Sequence, residues 1–568
     1  MIDISHKFEL LEPSLADAIL LIENDPSLEP AKRTQWLCSI RRIAKCIDRP
    51  LDMLPSRITA LRHPVGRLNA ARLGISQKTL ANHKSNLKAA LNHLSNHGVT
   101  LARGTPLSPE WCALMQRIED PWARKRIHAL FRYLSARGLQ PDNVNDGVLG
   151  EFFGYRTQAT FLDMNPAYQR EIARSWNACV DRVPGFPQHR FSVEPVKPRN
   201  GGPDWEAFPQ SFRDEVEAYL ETLNAPHRSI SGRRWRGCKP STIKTRRREI
   251  IAAARQLVLL GEPVANFTSL RDLLAPEMMR KLLDAYWEQN GERPTTYVID
   301  LSWKFLSIAR HTNCLTVEEL DELDDMRYAL EQHRQLGLTN KNMAVVRAVV
   351  SGKIWGKVID LPDRLMADAR KLKAKSPVKA AVLAQIAVAI KILTYAPVRV
   401  GNLANISLET NLIRPDGFDG PYWLVFPGHD VKNQVDLTFT FDAKITNFIE
   451  LYIRDFRPVL LRESNQPWLF PGGKGDGQAK CASTLSDQIT KRINKELGFR
   501  ITAHQFRHAA AAIILKNQPG NYELVRRILG HQNVQTTINF YVGLETMESS
   551  KQFGELIMEH TNKPSDKK

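Results

Sequence analysis

Four side chains in one stretch near the end of the chain, Ala503 to Tyr541, have the means for chemistry on a phosphate. They are His504 and Arg507 in a His-x-x-Arg arrangement, His531 in Leu529-Gly530-His531, and Tyr541 ten residues further on. An arginine presents a planar fork of donors that matches phosphate oxygens. A histidine donates to phosphate or moves protons near neutral pH. A tyrosine hydroxyl is a nucleophile where the charge of its attack is stabilised. The bland alternative is a surface helix pair with chance histidines; the recurrence of polar residues inside otherwise apolar helices argues against it. Carboxylates at ligand spacing around His504 and His531 are missing from the sequence, so neither a metal nor another cofactor is expected.

The His-x-x-Arg-His, Leu-Gly-His and tyrosine series resembles the second active-site box of the tyrosine recombinases, the phage integrase family. The first box of that family is matched by Thr394-Tyr-Ala-Pro-Val-Arg399, with Arg399 in the place of its arginine. Lys432, the single lysine between Gly420 and Asp442, stands where the family carries a lysine on a hairpin. The resemblance implies that Arg399 and Arg507 clamp the phosphate, Tyr541 attacks it, and His531 bonds the phosphate or its clamp. Lys432 and His504 would share the proton traffic. Two departures stand out. Asn402 occupies a position that is commonly acidic in the family, and the tyrosine follows the Leu-Gly-His histidine by ten residues where nine is usual. One extra residue turns a helical side chain by about 100 degrees, which a longer turn around Asn533–Gln535 would absorb. Tyr522 is the alternative nucleophile, and His508 reads as a structural histidine.

These residues need a scaffold. The sequence predicts helices over 340–350 and 362–375, then a long apolar helix ending near Pro397. Gly420–Asp442 alternates like two strands joined by a polar turn at His429–Gln434, and Asp442–Arg457 returns to helix. Leu469–Ser483 is a glycine-rich loop without the nucleotide-binding pattern, where Lys474 and Lys480 are placed to reach phosphates. After Tyr541 a short amphipathic helix and a charged tail are expected. Residues 337–568 thus read as an α+β catalytic domain with a small β-hairpin or sheet, in a chain that is otherwise mainly α.

Residues 1–200 read as a helical region with short amphipathic runs at 15–23, 31–46, 78–96, 123–136 and 166–183. Lys78, Lys84 and Lys88 lie off the leucine stripe of the third run and are candidate DNA contacts. Proline and glycine cluster at 193–204, and residues 201–336 read as a second helical region. That region holds the most basic segment, with Arg233, Arg234, Arg236, Lys239, Lys244, Arg246, Arg247 and Arg248 on a loop that feeds a helix. Such a segment suits a phosphate backbone, although solvated charge is the plain alternative. Both regions are similar to the small core-binding domains that precede recombinase catalytic domains.

The net charge of +18 and a pI near 9.6 favour a polyanionic partner. The seven cysteines are scattered without a Cys-x-x-Cys pair, which predicts reduced thiols in a cytoplasm rather than a disulfide frame or zinc site. The apolar run 380–398 is interrupted by Gln385 and Lys391 and reads as a buried helix, so no membrane is expected. The reading that follows is a site-specific recombinase acting on double-stranded DNA without metal or ATP. The resemblance implies a homo-tetramer on DNA, with helper proteins a further family expectation. A catalytically silent DNA-binding protein of the same fold and a type IB topoisomerase-like enzyme are the rival readings.

Overall fold

Several helices here begin at a side chain that caps them. Ser14, Thr316, Asp442 and Asn521 each accept a backbone N–H of the first turn, satisfying donors the helix itself leaves open. The computed structural model describes residues 13–95, 101, 104–195, 201–228, 234–235, 237–335, 337–417, 419–462, 465–473 and 477–561. It divides into two compact units, residues 1–194 joined with 337–568, and residues 195–336.

The first part of the larger unit carries α1 (Leu15–Glu23), α2 (Pro30–Ile47), α3 (Ile58–Arg67), α4 (Gln77–Leu94), α5 (Pro109–Arg117), α6 (Pro121–Ala136), α7 (Asp146–Ala159) and α8 (Pro166–Arg182). Their apolar faces form two separate cores. One is aliphatic and spans α1 to α4; the other is aromatic, built on Trp111, Phe131, Trp176 and Phe186. The smaller unit carries α9 (Gln210–Thr222), α10 (Pro240–Leu259), α11 (Leu270–Leu274), α12 (Pro276–Gln289), α13 (Thr296–Thr312) and α14 (Val317–Glu331). Between α9 and α10, β1 (His227–Arg228) and β2 (Arg234–Trp235) pair antiparallel, so the ends of the basic segment are a short ladder where a plain loop was expected.

The C-terminal part of the larger unit holds α15 (Asn340–Val350), α16 (Lys353–Leu372), α17 (Pro377–Tyr395), α18 (Val400–Ala404), α19 (Ala443–Asp455), α20 (Arg457–Leu461), α21 (Ala482–Leu497), α22 (Gln505–Asn517), α23 (Tyr522–Leu529) and α24 (Val534–Thr561). A three-stranded antiparallel sheet, β3 (Leu412–Ile413), β4 (Trp423–Phe426) and β5 (Leu437–Thr440), lies among them in the order β3-β4-β5. Trp423 pairs with Thr440 and Phe426 with Leu437, which gives the hairpin expected from the alternation. This part is mainly helical with one small sheet among its described residues.

Helix α17 is long and apolar enough to cross a membrane by length and composition, and it is the central helix of this core. Two of its polar residues, Lys391 and Gln385, are buried and partnered. Lys391 pairs with Asp363 at 3.1 Å, and Gln385 donates to the Tyr452 hydroxyl at 3.2 Å. Gln385 also accepts from the Lys480 Nζ, so Lys480 is turned into the core instead of towards a phosphate. Lys474 lies outside the described residues. The segment after Tyr541 continues α24 as one 28-residue helix, not a separate short one.

The two parts of the larger unit are clasped at the C-terminus of α21. Asn69 donates to the Asn494 carbonyl at 2.9 Å and Arg72 Nε to the Gly498 carbonyl at 2.6 Å. Gly498 ends α21 in the left-handed region, φ 67°, and a Cβ there would stand 2.5 Å from Arg72 Cγ and 3.0 Å from the Arg72 backbone nitrogen. Gly498→Ala should therefore cost about 1–2 kcal/mol from backbone strain and loss of the clasp, read as a lower urea midpoint. An unchanged midpoint would show that the clasp contributes nothing to stability.

Candidate active site

The site is built around Arg507, which sits one turn into α22 with 3% of its surface exposed. Its Nη1 donates to the Pro397 carbonyl at 2.9 Å and its Nη2 to the Leu529 carbonyl at 2.6 Å. The Leu529 carbonyl belongs to the last residue of α23, where carbonyls are left open and carry partial negative charge, and the Pro397 carbonyl lies in the turn between α17 and α18. Burial and the nearby Arg399 push the guanidinium down to about 10, so it remains charged at neutral pH. Among the described residues no carboxylate pairs with Arg507 or Arg399.

Arg399 follows α17 at the N-cap of α18, half-buried, and burial lowers its pKa. Its Nη1 is enclosed with no hydrogen-bond partner among the described residues. A buried unpaired donor on a cation costs free energy unless an acceptor arrives to meet it. His504 lies at the start of α22, open to solvent on one side. Burial, then the charges of Arg507 and Arg399, lower its pKa. His531 follows the left-handed cap Gly530, its Nδ1 2.9 Å from Thr537 Oγ1, and its pKa is pushed down to about 4 by burial and then by Arg507, Arg399 and Arg526.

Tyr541 reaches this group from the second turn of α24. The helix starts at Val534, and Asn533 caps the turn before it by accepting from the Gln535 backbone at 2.8 Å. The ring is buried against Ala511, Leu515, Val525 and Leu529, with 2% of its surface exposed. Burial raises the phenol's pKa, opposed by Arg507. Its hydroxyl meets His508 Nδ1 at 2.8 Å. His508, read from sequence as structural, is therefore the residue on the nucleophile candidate. Adjacency to Arg507 was the only sequence signal, and helical periodicity turns adjacent side chains apart. Tyr522 packs beside the same apolar group at the start of α23.

Lys432 is exposed on the connection between β4 and β5. Its neighbour Asn433 holds that connection on the site: Asn433 Nδ2 donates to the Gly530 carbonyl at 2.7 Å, and Gln532 Nε2 donates to the Asn433 carbonyl at 2.6 Å. A Cβ on Gly530, whose φ is 60°, would stand 2.8 Å from Leu437 Cδ2 of β5. The structure thus gathers Arg399, His504, Arg507, His531 and Tyr541 with His508, and sets the Lys432-bearing loop against the Gly530–His531 turn.

The basic residues are spread over other elements. Lys78 is exposed on α4; Lys84 and Lys88 are half-buried, burial lowers the pKa of both, and Arg156 lowers that of Lys88 further. In the smaller unit Lys239 caps α10, Lys244 and Arg248 are exposed, Arg247 pairs with Glu217 at 2.7 Å, and Arg246 is half-buried. Arg234 belongs to β2, while Arg233 and Arg236 lie outside the described residues. Among the described residues no three His, Cys, Asp or Glu side chains gather as a metal-binding group.

Residues 363–547, about a third of the chain, match the phage integrase family. Over 152 residues the chain is 27% identical to the tyrosine recombinase XerA of Pyrococcus horikoshii, covering 26% of this chain and 47% of that protein. The chain thus spans about half the length of that relative. Over 69 residues it is 32% identical to transposase A from transposon Tn554 of Staphylococcus aureus, covering 12% of this chain and 19% of that one. Among solved structures it is similar to the XerH site-specific recombinase bound to palindromic difH, at 15% identity and a TM-score of 0.31, covering 60% of this chain and 94% of that chain.

His508 and His531, both held near a pKa of about 4 against an ordinary 6.5, are neutral in the folded protein. In the unfolded chain they take up protons near 6.5, so between these values the unfolded state binds more protons and stability falls as pH falls. Urea midpoints should decline from pH 7 towards pH 4, and the double variant His508→Gln/His531→Gln should flatten that slope. A slope unchanged in the double variant would refute the assignment.

Proposed function

We propose that the protein is a site-specific DNA recombinase that cleaves and rejoins double-stranded DNA through a 3′-phosphotyrosyl intermediate. The observation that carries this reading is a buried Arg507 beside a half-buried Arg399, with no carboxylate partner for either among the described residues, next to three neutral histidines and a tyrosine. A cluster of one sign, holding an open buried donor on Arg399, is completed by an anion. A phosphodiester supplies that anion, and its transition state gains most from fixed positive charge.

In the proposed step Tyr541 Oη attacks phosphorus as the bond from phosphorus to the 5′ oxygen breaks. The phenolic proton leaves to His504, and Lys432 gives a proton to the departing 5′ oxygen. Arg399 and Arg507 hold the equatorial oxygens, with His531 as a further donor. The phosphotyrosyl bond retains the energy of the broken one. A 5′ hydroxyl from another strand therefore reverses the step without ATP, and no metal is needed to neutralise charge that the arginines already meet. The stretch similar to a transposase supports integration, excision or transposition of a mobile element. Assembly as a tetramer on DNA and contacts from Lys78, Lys244 and Arg248 belong to the same proposal.

Incubated with labelled DNA from the flanks of its own gene in EDTA, the protein should give a protease-sensitive covalent adduct on a denaturing gel. Tyr541→Phe should abolish the adduct, and Arg507→Ala should slow it by about a hundredfold or more. Binding without any adduct, on intact and nicked DNA alike, would leave the silent DNA-binding reading standing instead. An adduct surviving Tyr541→Phe would move the nucleophile elsewhere.

A further inference from the structure

A tyrosine on a helix that packs into an apolar pocket has two places for its hydroxyl, water or a buried partner. The Tyr541 ring is enclosed by Ala511, Leu515, Val525 and Leu529, and its hydroxyl lies 2.8 Å from Nδ1 of His508. His508 is itself 6% exposed and stands edge-on to His504, ring centroids 5.1 Å apart. The contact links α22 to α24 across 33 residues of sequence, and it is a polar contact inside an apolar pocket. We infer that His508 is a positioning residue for the nucleophile, holding the Tyr541 hydroxyl at the edge of the Arg399–Arg507 cluster before DNA arrives. The inference rests on the reading of Tyr541 as the nucleophile.

The direction of the hydrogen bond follows from acid strength. Phenol is the stronger acid and the imidazole lone pair the stronger base, so the hydroxyl donates and Nδ1 accepts. His508 is neutral for this purpose: burial, then His504, Arg507 and His531, keep its proton affinity low. The proton of the neutral ring then sits on Nε2, which is buried without a partner among the described residues. An unsatisfied donor is tolerated where the group is held for a task rather than for stability alone. The contact also accounts for the spacing of the tyrosine. With ten residues after His531, aim depends on a partner fixed to another helix, and His508 is that partner. Around it stand Arg507 and His504 on its own helix, Arg399 from the α18 cap, His531 from the turn after α23, and Tyr541 from α24.

The test uses the full chain with the same flanking duplex and compares His508→Asn and His508→Leu. The asparagine amide oxygen can stand close to the place of Nδ1, and leucine keeps bulk without an acceptor. Single-turnover adduct formation at saturating DNA should slow by about tenfold or more in the leucine variant, with half-saturating DNA unchanged within about twofold, and the asparagine variant should recover most of the rate. Equal slowing in both variants would mean that His508 matters as packing and would overturn the inference, as would wild-type rates in both. A fluorine-labelled tyrosine at position 541 reads the contact without DNA. Its resonance should move in the leucine variant and return in the asparagine variant, and a resonance indifferent to both would overturn the contact. If wild-type protein forms no adduct while the resonance behaves as expected, the recombinase reading fails and the hydrogen bond stands.

Discussion

A guanidinium enclosed in protein is the constraint on which the C-terminal part of this molecule depends. Taking an arginine out of water costs several kcal/mol unless its donors are met. Here two are met by main-chain carbonyls, Pro397 after α17 and Leu529 at the end of α23. Leu529 ends α23, so the charge is stabilised by that helix's negative pole and by the two carbonyls, with no counter-ion among the described residues. The choice matters chemically. A carboxylate would neutralise Arg507 and compete with any phosphate; a carbonyl satisfies the geometry and leaves the charge available. The same two bonds fix where the turn bearing Arg399 and the turn bearing His531 stand, because each begins within two residues of an acceptor.

The charge then sets the protonation of what surrounds it. His504, His508 and His531 all have lowered pKa values, with burial the first cause in each and Arg507 among the others. Three imidazoles kept neutral beside two cations are able to accept as well as donate, which protonated rings are not. That is why Tyr541 has an acceptor for its hydroxyl inside an apolar pocket. An anion entering the cluster would lower the potential and raise the basicity of these rings, so binding and proton handling are coupled by electrostatics alone.

Much of the scaffold was legible in sequence, because its signals are local. The alternation in Gly420–Asp442, the helix over α17 and the helix after Asp442 are readable from neighbours a few residues apart. The arginines, histidines and tyrosine of the site were legible through their motif. What escaped is long-range. The Lys480–Gln385 bond joins residues 95 apart, the Asn69–Asn494 bond residues 425 apart, and the His508–Tyr541 bond residues 33 apart. Periodicity reports which face of its own helix a residue occupies and nothing about what packs there. His508 illustrates the limit: next to Arg507 it should point elsewhere, and it does, towards a helix that folds back over it. The pairing of β1 with β2 escaped because two residues per strand leave no alternation to read.

The tyrosine spacing shows why counting residues between motif positions is a weak guide to aim. Tyr541 is oriented by the contact with His508 and by the residue at which α24 begins, a start that Asn533 fixes by accepting from the Gln535 backbone. From Val534 to Tyr541 is two turns of helix, which brings the tyrosine back to the face on which the helix began. The same short connection carries His531 and Gln532, and Gln532 donates to the carbonyl of Asn433, beside Lys432. A change in the length of this connection would thus alter the helix start, the histidine and the grip on the Lys432 loop together. Gly530, in a left-handed conformation that leaves no Cβ against Leu437, lets the chain turn sharply before the connection starts. A glycine cap, an asparagine cap and two hydrogen bonds to the β4–β5 loop therefore hold this connection in place.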